Sequence, residues 1–172
     1  MKNLVWRNIG RFLLLMATQF VVLNRVDFGG YLLPMIYVLF VLMLPTNMKR
    51  IPMLLVAFAT GLVTDMLNNM LGIHALACTV VAMLRICFAD RILTRGEPVA
   101  IESPGINSVT PQYFVAYLVI MLAAFYLVLF SVEMFSFKGF WSVLLATLLS
   151  TVVTALIAVL YQAVFTKKDK QK

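Results

Sequence analysis

Long apolar runs, separated by short polar or proline-containing breaks, set the plan of this chain. The first run covers residues 9–24, behind Lys2, Arg7 and Arg11. It resembles a signal peptide but has no A-x-A-like cleavage site and is followed by more apolar runs, so it reads as a retained helix. Within it, Thr18 and Gln19 can bond to a neighbouring helix or back to their own backbone, and local bonding is the favoured of the two. Asp27, Gly29 and Gly30 then make a turn of residues 25–31. The second run, residues 32–45, lies between Pro34 and Pro45 and offers about 13 apolar residues, roughly 20 Å of helix against a hydrocarbon core of about 30 Å. It must thin the bilayer, recruit its flanks or sit inside a bundle. Lys49 and Arg50 mark the next turn, and Pro52 suits the first turn of a third helix over residues 51–67. Residues 72–93, 113–132 and 140–165 complete the set, with a polar loop at 94–112 and a basic tail at 166–172.

The pattern predicts an all-α integral membrane protein, a single transmembrane domain bundling about six helices. Thr147, Ser150, Thr151, Thr154 and Ala158 fall within about 100° of one another on the sixth helix, a seam of small and hydroxyl side chains. Such seams bring helices close, and packing is the favoured reading over a role as substrate ligands. The loop at 94–112 is longer than a minimal connection and is a candidate contact with cytoplasmic machinery.

Polar residues concentrate between Gly61 and Arg85. Asp65, Asn68 and Asn69 close the third run, Gly72 and His74 open the fourth, and Arg85 lies inside it. Polar groups in hydrocarbon are costly unless partnered, which singles out Gly61, Asp65, Asn68, Gly72, His74 and Arg85 as the candidate structural or interaction motif. Asp65 near a helix C-terminus opposes the macrodipole and needs a donor. Asn68, Asn69, a backbone N–H at the start of the fourth helix or His74 can supply it. Three roles stay open for this hairpin: a structural clasp, a partner or ligand site, and a proton-handling pair, for which no second buried acid or lysine continues a relay. If Asp65 acts only through hydrogen bonds, asparagine should replace it.

Composition sharpens the class. The chain has 172 residues, 63% hydrophobic and only 12% charged, which excludes an ordinary soluble domain. Its 14 Lys and Arg against 7 acids form no basic stripe, so nucleic acid is not an expected partner. With six spans, Lys2, Arg7, Arg11, Lys49, Arg50, Arg91, Arg95 and the tail lysines share one side, while Arg25 and Lys138 lie on the other. The positive-inside rule then puts both termini in the cytoplasm, Asp65 and His74 at the outer end of a hairpin, and Arg85 about two turns from the cytoplasmic end. There Arg85 either snorkels or pairs inside the bundle. A re-entrant pair made from the two short runs would also keep both termini cytoplasmic, but would move Asp65 inward. Full crossing is the expectation.

Cys78 and Cys87 lie nine residues apart, on opposite faces of one helix, and cannot pair with each other there. No C-x-x-C, H-E-x-x-H, G-x-S-x-G or phosphate-loop pattern occurs, and His74 has no nucleophile at a suggestive spacing. No catalytic residue, cofactor or metal is therefore expected.

The run Phe58-x-x-Gly61-Leu62-x-x-Asp65, followed by Gly72-Ile73-His74-Ala75 and Arg85, resembles the core pattern of the MreD family of bacterial rod-shape membrane proteins. Arg11-Phe12, Tyr31-x-x-Pro34, Pro45, Glu133-x-Phe135-Ser136-Phe137 and Ser150-Thr151-x-x-Thr154 extend the resemblance over nearly the whole chain. It implies a non-enzymatic subunit of the inner-membrane elongation machinery that binds MreC. Through MreC it would associate with MreB, RodA and a transpeptidase penicillin-binding protein, organising lateral peptidoglycan synthesis and cell shape. It also implies a fold similar to the substrate-binding (S) components of vitamin transporters. The alternative function is such a component, with Asp65, Asn68 and His74 lining an outward pocket.

Overall fold

The structure, a computed structural model, describes residues 2–21, 33–45, 48–93, 111–134 and 140–169. The expected turn at 25–31, residues 94–110 of the expected loop, residues 135–139 and the last three residues lie outside the described residues. Among the described residues the secondary structure is helical: α1 (Lys2–Val21), α2 (Val38–Leu42), α3 (Arg50–Asn68), α4 (Ile73–Leu93), α5 (Pro111–Met134) and α6 (Phe140–Asp169). α1 begins before the apolar run does, since residues 2–8 contain no helix breaker. α5 starts on Pro111, at the first helical position, where a missing N–H costs nothing. α6 continues for 30 residues, about 45 Å, into the part of the chain expected to be a tail.

On α3 and α6 the faces are inverted relative to a water-soluble bundle. On α6 the exposed stripe is Trp141, Leu145, Leu148, Val152, Leu156 and Leu160, while Thr147, Ser150, Thr151, Thr154 and Gln162 are buried. On α3, Ile51, Leu55, Phe58, Leu62 and Met66 face out, and Thr60, Thr64 and Asp65 face in. Apolar residues outside and small or hydroxyl residues between helices suit hydrocarbon surroundings, where packing and hydrogen bonds rather than water exclusion hold helices together. Arg50–Asn68, Gln112–Glu133 and Val143–Gln162 are each long and apolar enough to cross a membrane.

The second apolar run departs furthest from a simple span. It contains a five-residue helix, α2, flanked by non-helical backbone at residues 33–35 and 45. The two prolines account for this. Pro34 has no N–H to offer, and Pro45 disfavours helical backbone at Leu44, leaving room for little more than one turn between them. Residues 34–44 are all buried. α2 packs against α4, α1, α3 and α5, and α6 reaches the same segment through Ser150 and Gln162. Of the options open to a short run, this one is taken inside the bundle.

Hydrogen bonds and ring contacts to this central segment define the direction of its neighbours. α1 runs antiparallel to it, with Gln19 beside residues 34–36 and Phe12 against Phe40. α5 is also antiparallel, with Tyr126 beside Leu33 and Met35 and Tyr117 at Leu42. α4 runs parallel, from His74 at Tyr37 to Arg85 at Val41 and Leu44. α6 is parallel too, from Ser150 at Leu33 to Gln162 at Met43.

Buried backbone outside a helix must find its hydrogen bonds elsewhere. Leu33 N–H donates to Ser150 Oγ at 3.2 Å. Met35 N–H donates to Tyr126 Oη at 2.8 Å, and that hydroxyl donates to Leu33 O at 2.7 Å and meets Thr154 Oγ1 at 2.5 Å. With Thr154 as donor, one hydroxyl uses its proton and both lone pairs. Ile36 N–H donates to Gln19 Oε1 at 2.8 Å, and Gln19 Nε2 donates to Pro34 O at 3.1 Å. This corrects the expectation of local bonding for Gln19. Thr18 does bond locally, to Leu14 O at 2.8 Å.

Tyr126→Phe should therefore leave the Leu33 carbonyl, the Met35 N–H and the Thr154 hydroxyl short of a partner. At about 1–3 kcal/mol for each group left unsatisfied, less whatever relaxation recovers, a loss of about 2–5 kcal/mol is expected. Thermal unfolding in detergent checks this, with Tyr113→Phe, at an exposed site, expected to unfold like the parent.

Candidate functional site

The polar motif divides into two places on α4. The first is the α3–α4 connection. α3 ends with Asn69 in the left-handed region (φ 54°), and Met70 N–H donates back to Asp65 O at 2.9 Å. Asparagine tolerates that backbone better than most residues. Gly72 follows at φ +85°, a conformation that favours glycine, and α4 begins at the next residue.

This short connection brings Asp65 over the start of α4. Its Oδ1 accepts from His74 N–H at 3.0 Å and its Oδ2 from Ala75 N–H at 2.8 Å. The first N–H groups of a helix have no intrahelical acceptor, and a carboxylate there is favoured by the macrodipole as well. Asp65 is only 2% exposed, so these bonds form away from bulk water. Of the donors considered for Asp65, the backbone of α4 is the one used. Asn68 instead donates to Thr64 O at 3.1 Å.

One turn before Asp65, Gly61 lets the two helices touch. A Cβ on Gly61 would lie 2.5 Å from His74 O and 2.6 Å from Ala75 N, both backbone atoms. The His74 ring turns into the bundle, its Nδ1 2.8 Å from Tyr37 Oη. Tyr37 is fully buried at the start of α2 and edge-on to both His74 and Phe125. Gly61, Asp65, Gly72 and His74 thus form one constellation, with Tyr37 as a member that the sequence reading missed.

Arg85 belongs to the second place. It lies 11 residues beyond His74, about 16 Å along the helix. It is 2% exposed, which decides for pairing inside the bundle over snorkelling. Nη1 donates to Val41 O at 3.0 Å, Nη2 donates to Leu44 O, and Met53 Sδ lies 3.9 Å from Nη1. Tyr117 Oη donates to Leu42 O at 3.2 Å beside them. The carbonyl end of α2, which ordinary helices expose to water, is capped here by two side chains. A guanidinium suits this work because its donors are spread over a rigid fork.

Tyr37, Tyr117, Tyr126 and Gln19 were legible only as hydroxyl or amide residues within apolar runs. Cys78 is buried and Cys87 exposed, as opposite faces require. Among the described residues no group of three His, Cys, Asp or Glu side chains could hold a metal ion.

Fold and site together define a helical membrane protein built round a buried, interrupted segment. Compared with models of protein families, with curated proteins and with solved structures, the chain gives no match.

Two substitutions test the clasp. Gly61→Ala must push α4 away from α3 and should cost about 1–3 kcal/mol or more. Asp65→Asn should not behave as a neutral replacement, because both carboxylate oxygens accept. Its amide would set a donor against one backbone N–H, costing about 1–3 kcal/mol. Thermal unfolding of each variant in detergent, beside Asp65→Ala, measures both.

Proposed function

We propose that this chain is a non-catalytic, multi-pass subunit of the bacterial cell-elongation complex in the inner membrane. In this reading it resembles the MreD family, binds MreC, and through it helps MreB, RodA and a transpeptidase penicillin-binding protein organise lateral peptidoglycan synthesis. The observation that carries the proposal is what the resembling motif does. Gly61, Asp65, Gly72 and His74 close a rigid hairpin, and Arg85 holds the central segment. These polar groups build a scaffold. Phe58 and Leu62 of the same motif face outward, where they can meet lipid or an apolar partner helix.

The alternating directions of the helices support six crossings with both termini on one side. Basic residues support the cytoplasm as that side. Arg11 lies near Tyr161 towards the end of α6, and Lys49 and Arg50 open α3. Asp65 and His74 then lie at the outer end.

A second reading, a substrate-binding component of a vitamin-type transporter, draws on the fold similarity that the resemblance implies and on Asp65, Asn68 and His74, which lie together at the α3–α4 connection. Native mass spectrometry of the purified protein separates the two readings. A stoichiometric metabolite favours transport.

For the first reading, MreC should co-purify from detergent in a host that uses this protein, and depletion should turn rods into spheres. Normal shape together with no association would contradict it.

A further inference from the structure

The described threonines of α1, α3 and α4 treat their hydroxyls alike. Thr18 donates to Leu14 O at 2.8 Å, Thr60 to Val56 O at 2.7 Å, Thr64 to Thr60 O at 3.0 Å and Thr79 to Ala75 O at 2.7 Å. Each uses the carbonyl four residues back, the nearest acceptor for a hydroxyl in an apolar setting. Thr147 and Thr151 of α6 do not. They are 5% and 4% exposed, yet neither Oγ1 has a hydrogen-bond partner. Their neighbours on the same seam each have a partner, Ser150 accepting from Leu33 N–H and Thr154 meeting Tyr126.

A buried hydroxyl that forgoes an available bond is expected to have another partner, and in proteins ordered water commonly fills that role. Residues four apart on a helix have Cβ atoms about 5–6 Å apart. Two hydrogen bonds of about 2.8 Å meeting at one tetrahedral oxygen span about 4.5 Å, a gap that the two hydroxyls meet when their χ1 angles turn them towards each other. We propose that Thr147 and Thr151 together hold one small, neutral, hydrogen-bonding guest, with water as the occupant. The burial of both residues excludes a bulky guest. Ser150 and Thr154, the polar side chains within one turn, carry no charge to attract an ion. The guest sits on the helix that supports the non-helical stretch at residues 33–35. It therefore gives α6 a solvent molecule on the seam whose Ser150 and Thr154 help to hold that stretch.

The same chemistry fits a small neutral solute carrying a hydroxyl or amide, and the test distinguishes the two sources. The full chain, threonine-labelled in lipid bilayers, is read by water-edited solid-state NMR, with Thr60 and Thr64 as buried internal controls. Magnetisation should reach Thr147 and Thr151 from water faster than it reaches the controls. Slow transfer with a stoichiometric neutral solute in the native mass spectrum keeps the site and assigns it to that solute. Transfer at the control rate with no bound solute overturns the proposal.

Stability gives a second readout. Thr147→Val and Thr151→Val should each lower Tm by about 2–4 °C. The double variant should fall by little more than one of them, because either change releases the shared guest. Variants at or above the parent Tm would overturn the site, since an unpartnered hydroxyl loses nothing when it becomes a methyl group.

Discussion

Backbone that is neither helical nor in contact with water must be matched bond for bond by something else, and this bundle is arranged around that requirement. Residues 33–45 pass through its middle with one turn of helix and a proline near each end. Gln19, Tyr126 and Ser150 attend to the stretch that enters, and Arg85 and Tyr117 to the carbonyls that leave. These side chains come from α1, α4, α5 and α6. The segment that cannot satisfy itself thereby gives separate helices a common set of partners, and their directions and register follow from it.

α4 has a special place in this arrangement because it holds the central segment at both ends. Near its start His74 meets Tyr37, and about three turns later Arg85 reaches Val41 and Leu44. The start of α4 is itself held by Asp65, whose carboxylate receives two of its N–H groups, and by Gly61, which sets the closest approach of α3. Hairpin and central segment are therefore one mechanical unit. The two polar places on α4 do not meet, yet each positions the same short piece of chain. A core of this kind, with Phe58, Leu62 and the α6 stripe turned outward, is compatible with the subunit role proposed above.

Much of the plan was legible in the chain because its causes are local. Pro34 and Pro45 limit the second run, the αL residue Asn69 and Gly72 make the hairpin, and the seam on α6 follows from helical spacing. The roles of individual polar residues were less legible because their partners are set by tertiary packing. Tyr126 lies 91 residues from Met35, and Arg85 lies 44 from Val41. Gln19 was expected to bond locally and instead reaches across to residues 34–36. Asp65 was read as a simple acceptor, but the use of both oxygens is what makes an amide a poor substitute. In each case the residue type announced a need for a partner, and only the packing identified it.

The central claim is that the non-helical entry to the buried segment is as well held as the helix it feeds. Amide hydrogen exchange of the full chain in lipid nanodiscs, resolved at Met35 and Ile36, tests this most directly. Slow exchange at both, comparable with Leu39 and Phe40, whose N–H groups donate to Ile36 O and Tyr37 O, is the expected result. Exchange of Met35 and Ile36 at the rate of an open loop would contradict the account.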